Sequence, residues 1–384
     1  MRFYVSDKKL RVAIVTNIIA SYREDFYRRI LANEKLDITV YCQSAIKGMN
    51  LQSAHPQLIQ HIKLVKAISL NKEKMAWQFL PLLELYKQYD VIFIYGNPRV
   101  LSNVVYSLIL KLLGKKIIIW GQAHTAGANT ITEKVRLVWW KLFDYLFLYT
   151  EKETEYLRNK GFKTQKMLGM NNGLNQQKID QVKAHWTAEK LSEWQGQQNI
   201  ANHTVLLSCA RLDAKNQFEL MIPVLKQQCQ NNSTLLWCVI GDGEQSKYLK
   251  ELVKQAGLTQ HVRWLGAIYD EQALAPWFLS SKALIHPGAI GLSLLHAFGY
   301  GLPVITHDNI ENQMPEIAAL KQGENGLLFA AGDVGSLAKT IDYLLDDKTI
   351  SDRLADGAYQ TAKNEFNTEI MAEQFYQVTN FFMI

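Results

Sequence analysis

The chain has no Cys-x-x-Cys pair, no Asp-x-Asp, no block of like charge and no apolar run long enough to cross a bilayer. Each absence excludes something. Four cysteines in 384 residues (Cys42, Cys209, Cys229 and Cys238) lie far apart, so neither a thiol redox pair nor a zinc ribbon fits. Most occupy strand-like apolar surroundings, where a thiol behaves as a small hydrophobe, and reduced structural cysteines fit a cytoplasmic protein. The most apolar run, Val104 to Trp120, is broken by Lys111, Lys115 and Lys116, which limits membrane contact to the peripheral kind. The opening residues lack the core of a signal peptide. Without zinc-finger spacing, a basic arm or RNP-like aromatics, no nucleic acid partner is expected. The missing Asp-x-Asp removes the carboxylates that hold a divalent metal on a diphosphate, so neither metal nor cofactor is expected.

The net charge of +6 is spread along the chain and suits anionic substrates or the anionic inner face of a membrane. A chain of 384 residues exceeds the usual single core and calls for two domains. Val12 to Thr16 is a β-branched run of the kind buried on both faces of a sheet, followed by an amphipathic helix with Phe26, Ile30 and Leu31 on one side. Strands at 38–42, 91–95, 116–120 and 145–149 alternate with helices at 76–89, 101–113 and 151–160; residues 43–74 read as surface loops with an irregular strand. The pattern fades through a polar stretch at 176–202, helical or linker-like and taken as the linker between domains, and restarts with strands at 205–209, 234–240, 262–265, 283–286 and 303–306. The reading is α/β: residues 1–175 as one Rossmann-like domain, 203–365 as a second, the two facing across a cleft, with 366–384 a helix returning to the first.

The stretch His286 to Asp308, HPGAIGLSLLHAFGYGLPVITHD, organises the second half. It predicts a Gly-rich loop, a short helix from Leu292 and a buried strand. Gly288 and Gly291 let backbone approach a ligand closely, and the free N–H groups of a helix start attract an anion. The plainer alternative is an ordinary strand–turn–helix connection. Arg211 and Lys215, just beyond a strand end, are cations of the sort that neutralise a diphosphate and stabilise it as a leaving group; as plain residues they would be solvated loop charges.

SCARLDAKN (Ser208 to Asn216), the turn GDGE with Gly241, VRWLGAI (Val262 to Ile268), the His286 stretch, PEI (Pro315 to Ile317) and GENGLLFAAGD (Gly323 to Asp333) follow one another in a specific order. The ordered set resembles the nucleotide-sugar half of the family-4 glycosyltransferases, which have the GT-B fold; SYREDFYRRI and WGQAH resemble their first half. The resemblance implies transfer of a hexosyl unit, with retention and without a metal, from a nucleotide-diphosphate sugar. UDP is favoured and GDP is the alternative. The acceptor would be a saccharide or lipid-linked saccharide in surface polysaccharide biosynthesis. Arg211 and Lys215 fall where the family keeps its Arg and Lys, one residue closer together than usual. Gly241, Gly288, Gly291 and Leu292 fall on the donor loops, and backbone at Ala267 and Ile268 falls where the family holds the base. Glu316 matches a Glu near the donor sugar; a carboxylate stabilising its own helix is the plain alternative. His124 looks like the acceptor-domain histidine, with Gln122 competing for that alignment, and Arg23 and Asn17 fall on the acceptor side. One departure stands out. The family pattern has a Glu, seven residues and a second Glu, and those positions here hold Gly288 and His296. Gly288 supplies no carboxylate; His296 is left to bond ribose or phosphate, or to be a core histidine.

Lys141 with Trp139, Trp140 and Leu142, and the helix from Val104 to Lys116, are candidate membrane anchors, with helix core as the alternative. A nucleotide-sugar epimerase of the same architecture, or a non-catalytic sugar-nucleotide binder, are the rival functions.

Overall fold

A computed structural model describes residues 9–45, 56–70, 75–123 and 130–383. The chain divides into two units, one running to Asn172 and taking in Thr368 onward, the other Gly173–Asn367. In the first lie β1 (Leu10–Val15), β2 (Leu36–Cys42), β3 (Ile62–Leu64), β4 (Ala67–Leu70), β5 (Met75–Gln78), β6 (Val91–Tyr95), β7 (Lys116–Gly121), β8 (Tyr145–Leu148) and β9 (Met167–Gly169). Seven of them form one sheet in the order β3-β2-β1-β6-β7-β8-β9, and every pairing in it is parallel. The runs VAIV, VIFIY and KIIIW supply β-branched side chains to both faces of this sheet, as a covered parallel sheet requires; Ile14, Phe93 and Ile119 are fully buried.

The helix Glu24–Leu31 buries Phe26, Tyr27 and Ile30. It packs with the last helix, Thr368–Asn380, whose Phe375 lies 6.0 Å from Phe26 edge-on and 4.8 Å from Phe93 stacked. The final helix is thus part of the first unit's core.

One expectation needs correcting. Residues 76–89 are not one helix: Met75–Gln78 is β5, paired antiparallel with β4, and the helix is confined to Leu82–Gln88. Pro81 explains the break, since the residue before a proline is pushed out of the helical region. Of the two readings of 176–202, the helical one holds: two helices, Gln176–Ala184 and Ala188–Gln197, are capped by the side chains of Asn175 and Thr187. Ile179, Val182 and Ile200 are buried in the second unit's core; these apolar positions are too sparse to stand out from a polar background.

The second unit holds β10 (Thr204–Cys209), β11 (Leu235–Ile240), β12 (Val262–Gly266), β13 (Ser281–His286), β14 (Val304–His307) and β15 (Gly326–Phe329). Their order is β12-β11-β10-β13-β14-β15, again with all pairings parallel. In both sheets the chain order reverses beside the first strand, between β1 and β6 and between β10 and β13. In doubly wound sheets ligands bind beyond the strand carboxyl ends at such a reversal. No helix among the described residues is long and apolar enough to cross a membrane.

Candidate functional site

At the reversal in the second unit, the loop after β10 (210–216) lies directly on the loop after β13 (287–291). Gly288 makes this approach possible: a Cβ there would sit 2.2 Å from the carbonyl oxygen of Lys215. Gly241, with φ of +144°, plays the same part after β11, where a Cβ would fall 1.9 Å from the Ala210 carbonyl oxygen. Asn216 ties the loops together. Its Nδ2 donates to the Arg211 carbonyl at 2.6 Å and its Oδ1 lies 3.3 Å from His286 Nε2.

The second loop leads into the helix Leu292–Gly299, which starts at Gly291 with no side-chain cap. Its first N–H groups are therefore open to an acceptor. Gln313 holds the loop in shape: its Oε1 accepts from Ile290 N–H at 2.8 Å, and its Nε2 donates to Thr306 Oγ1 and to the His307 carbonyl, each at 3.0 Å. Thr306 Oγ1 donates in turn to the Gly288 carbonyl at 3.3 Å. Glu316 is buried, and its carboxylate lies 3.9 Å from where a Cβ on Gly291 would stand. Leu292 is half-buried at the helix start.

Both cations of the first loop face outward. The Arg211 side chain is 77% exposed and 3.9 Å from Asp213, and Lys215 is exposed. His286 beneath them is buried. Burial, then the charges of His307 and Lys215, push its pKa down to about 3, so it is neutral and adds no charge to the site.

His296 is committed to a neighbour. Its Nε2 is 2.7 Å from Glu271 Oε1, the same oxygen that accepts from Tyr300 O–H at 2.6 Å, and its ring lies against Phe278 at 4.7 Å. The structure thus puts on this histidine a carboxylate partner from the helix Glu271–Leu279, in place of the backbone carbonyl of a core histidine. Burial alone would raise the Glu271 pKa, but the hydrogen bond and charge of His296, with the Tyr300 hydroxyl, outweigh it and hold the carboxyl below its ordinary range. Ala267 is exposed and Ile268 half-buried in the segment between β12 and that helix, and Gly241 N–H donates to the Gly266 carbonyl at 2.8 Å. Sequence reasoning missed Asn216, Thr306, Gln313 and Glu271. Only the Gly-rich neighbourhood hinted at a loop that must be held in place.

In the first unit Asn17 follows β1, and Arg23 precedes the helix at Glu24 and is buried, 8% exposed. Arg23 is therefore not a solvated surface arginine. His124 lies outside the described residues. Trp139 and Trp140 are buried, while Val135, Val138 and Leu142 on the same stretch are 59%, 66% and 52% exposed. Among the described residues no group of three or more His, Cys, Asp or Glu side chains is placed to hold a metal ion.

Residues 192–361, which contain this site, match the family described as glycosyl transferases group 1. The chain is 24% identical over 181 residues to the lipopolysaccharide core biosynthesis glycosyltransferase LpsE of Rhizobium meliloti, covering 46% of this chain and 50% of LpsE. It is 29% identical over 157 residues to the phosphatidyl-myo-inositol mannosyltransferase of Mycobacterium leprae, covering 39% of this chain and 38% of that protein. It therefore spans half or less of these curated relatives. Among solved structures, HepE of Anabaena in complex with UDP superposes with a TM-score of 0.72 at 17% identity, over 97% of this chain and 99% of that one. The architecture is that of the GT-B glycosyltransferases.

Proposed function

We propose that the chain is a family-4-like glycosyltransferase that moves a hexosyl unit from a UDP-sugar to an acceptor hydroxyl, with retention and without a metal ion. One observation carries the reading: a rigid glycine-lined loop pair presents an uncapped helix start and two exposed cations, Arg211 and Lys215, at the sheet reversal, within the segment matched by the group 1 family. Backbone N–H groups and cations of this kind suit the charge of a diphosphate and act most strongly as it departs. They take the place that a metal would otherwise fill. UDP is favoured because HepE, alike in fold, was solved with UDP and with UDP-glucose.

In this reading Arg211 and Lys215 stabilise the leaving diphosphate, and the backbone at Gly288, Gly291 and Leu292 holds it. Glu316 meets the sugar hydroxyls, while Ala267, Ile268 and Gly241 border the base. With His296 bound to Glu271, the pair acts as a unit: the carboxylate that the family carries on the later helix comes here from the helix at Glu271, and accepts from the ribose hydroxyls. His124, Asn17 and Arg23 serve the acceptor. LpsE, named for lipopolysaccharide core synthesis, supports a saccharide or lipid-linked saccharide acceptor in surface polysaccharide assembly. Exposed Val135, Val138 and Leu142 beside Lys134 and Lys141 suit peripheral contact with an anionic cytoplasmic membrane face.

The test is turnover of labelled UDP-hexoses in EDTA, with and without lipid-linked acceptors. Transfer that needs the acceptor and ignores EDTA supports the reading. Isomerised donor formed without acceptor points to the epimerase, and UDP binding with no turnover across a broad acceptor panel points to a binding protein.

A further inference from the structure

The guanidinium of Arg23 is walled by aromatic rings, its carbon 4.8 Å from the Tyr149 ring centre, 5.2 Å from Trp120 and 5.5 Å from Tyr22. Nη2 donates to the neutral amide oxygen of Asn172 at 3.1 Å. Nε is buried with no hydrogen-bond partner. Among the described residues no carboxylate comes within ion-pair distance of it. Asp25, two residues on, is already held by Arg28, Arg29 and the Thr368 hydroxyl.

A cation taken out of water without a counter-charge is costly, and ring faces offset only part of that cost. A structural arginine would be expected to have both its charge and its N–H groups met. Arg23 has neither. Two more orphaned polar atoms belong to the same edge of the first sheet: Trp120 Nε1, whose ring flanks Arg23, and Asn17 Oδ1, in the segment after β1. Tyr95 and Trp120 are register partners at the carboxyl ends of β6 and β7, and Tyr149 follows β8. Arg23 thus stands over the carboxyl ends of β7 and β8, on the side of a doubly wound sheet where ligands bind.

We infer that Arg23 is an anion anchor for the acceptor: the saccharide taken by the first unit carries a compact oxyanion, a phosphate or a carboxylate, that pairs with this guanidinium. The inference rests on the transferase reading for what the acceptor is, and on the first unit alone for its charge. Arginine suits the task because its planar donors meet two oxygens at once, which an ammonium does not. Trp120 Nε1 supplies a further donor and Asn17 Oδ1 an acceptor for a neighbouring hydroxyl.

The test uses the whole chain with UDP saturating the second unit, so that added anions report on the first. Thermal stability is followed against inorganic phosphate, glucuronate and glucose. Wild type should be stabilised by phosphate or glucuronate but not glucose, and which of the two acts tells phosphate from carboxylate. Arg23→Met should lose the response, and Arg23→Lys should weaken it at least 10-fold. Without ligand, Arg23→Met should be no less stable than wild type, because an uncompensated charge has gone. A clear loss of stability in Arg23→Met would make Arg23 a structural strut and overturn the inference. So would an anion response that survives Arg23→Met, or no anion response in a wild-type chain that binds UDP. A chain that fails to bind UDP yet answers to anions through Arg23 would sink the donor reading and leave this one standing.

Discussion

Gly288 shows how a single residue can be misread from sequence. It occupies a position where a carboxylate is the familiar choice, and composition alone suggests a lost function. The structure gives it a reason of its own, since the Lys215 carbonyl occupies the space of any side chain. Gly288→Ala should therefore push the two loops apart. A cost of about 2–4 kcal/mol in unfolding free energy, with UDP affinity reduced at least about 10-fold, is the expected result in denaturant titration and calorimetry. His296 carries the matching lesson. The sequence shows a histidine one turn into a helix but not its partner, because Glu271 is 25 residues earlier. Glu271→Gln keeps the shape and removes the charge. It should weaken UDP binding more than it weakens the stability of the ligand-free chain, which thermal shift with and without UDP will separate.

Elements were legible where the pattern was strong. The buried runs of β1, β6 and β10 and the helix starting at Leu292 follow from apolar periodicity and glycine placement. The stretch at 176–197 stayed open between helix and linker because its buried residues are few, and β5 was obscured because Ala76, Trp77 and Gln78 suit helix or strand until Pro81 is taken into account. What no local pattern contains is the support of the donor loop. Gln313 is buried, and its side chain bonds to the loop and strand beside it. Gln313→Leu should leave Ile290 N–H and the His307 carbonyl unmet, at about 1–3 kcal/mol for such a buried group. UDP affinity should fall with it, since the open helix start is then no longer fixed. The terminal helix is tested separately: Phe375→Ala empties a site between Phe26 and Phe93 and should cost about 3–5 kcal/mol in the first unit's unfolding transition.

At the scale of the whole molecule, several ionisable groups make stability fall in acid. Asp25 and Glu271 are both depressed: burial opposes this, but Thr368, Arg29 and Arg28 on the one, and His296 and Tyr300 on the other, prevail. Their contribution is present above the ordinary carboxylate range and lost as pH falls through it. His286 acts earlier. Its pKa is lowered from 6.5 to about 3, so below pH 6.5 the unfolded chain takes up a proton that the native one refuses. The loss should reach about 2 kcal/mol near pH 5. Denaturant titrations from pH 7.5 to 4.5 should show that slope, and His286→Asn should flatten it. The central claim concerns the second unit's grip on a diphosphate. It is tested most directly by calorimetry of UDP binding in EDTA to wild type and to the Arg211→Ala, Lys215→Ala double variant. The account predicts binding in wild type that needs no metal and falls about 100-fold or more in the variant, each charged hydrogen bond contributing about 1.5–3 kcal/mol. Equal affinity for UDP in the two proteins would contradict it.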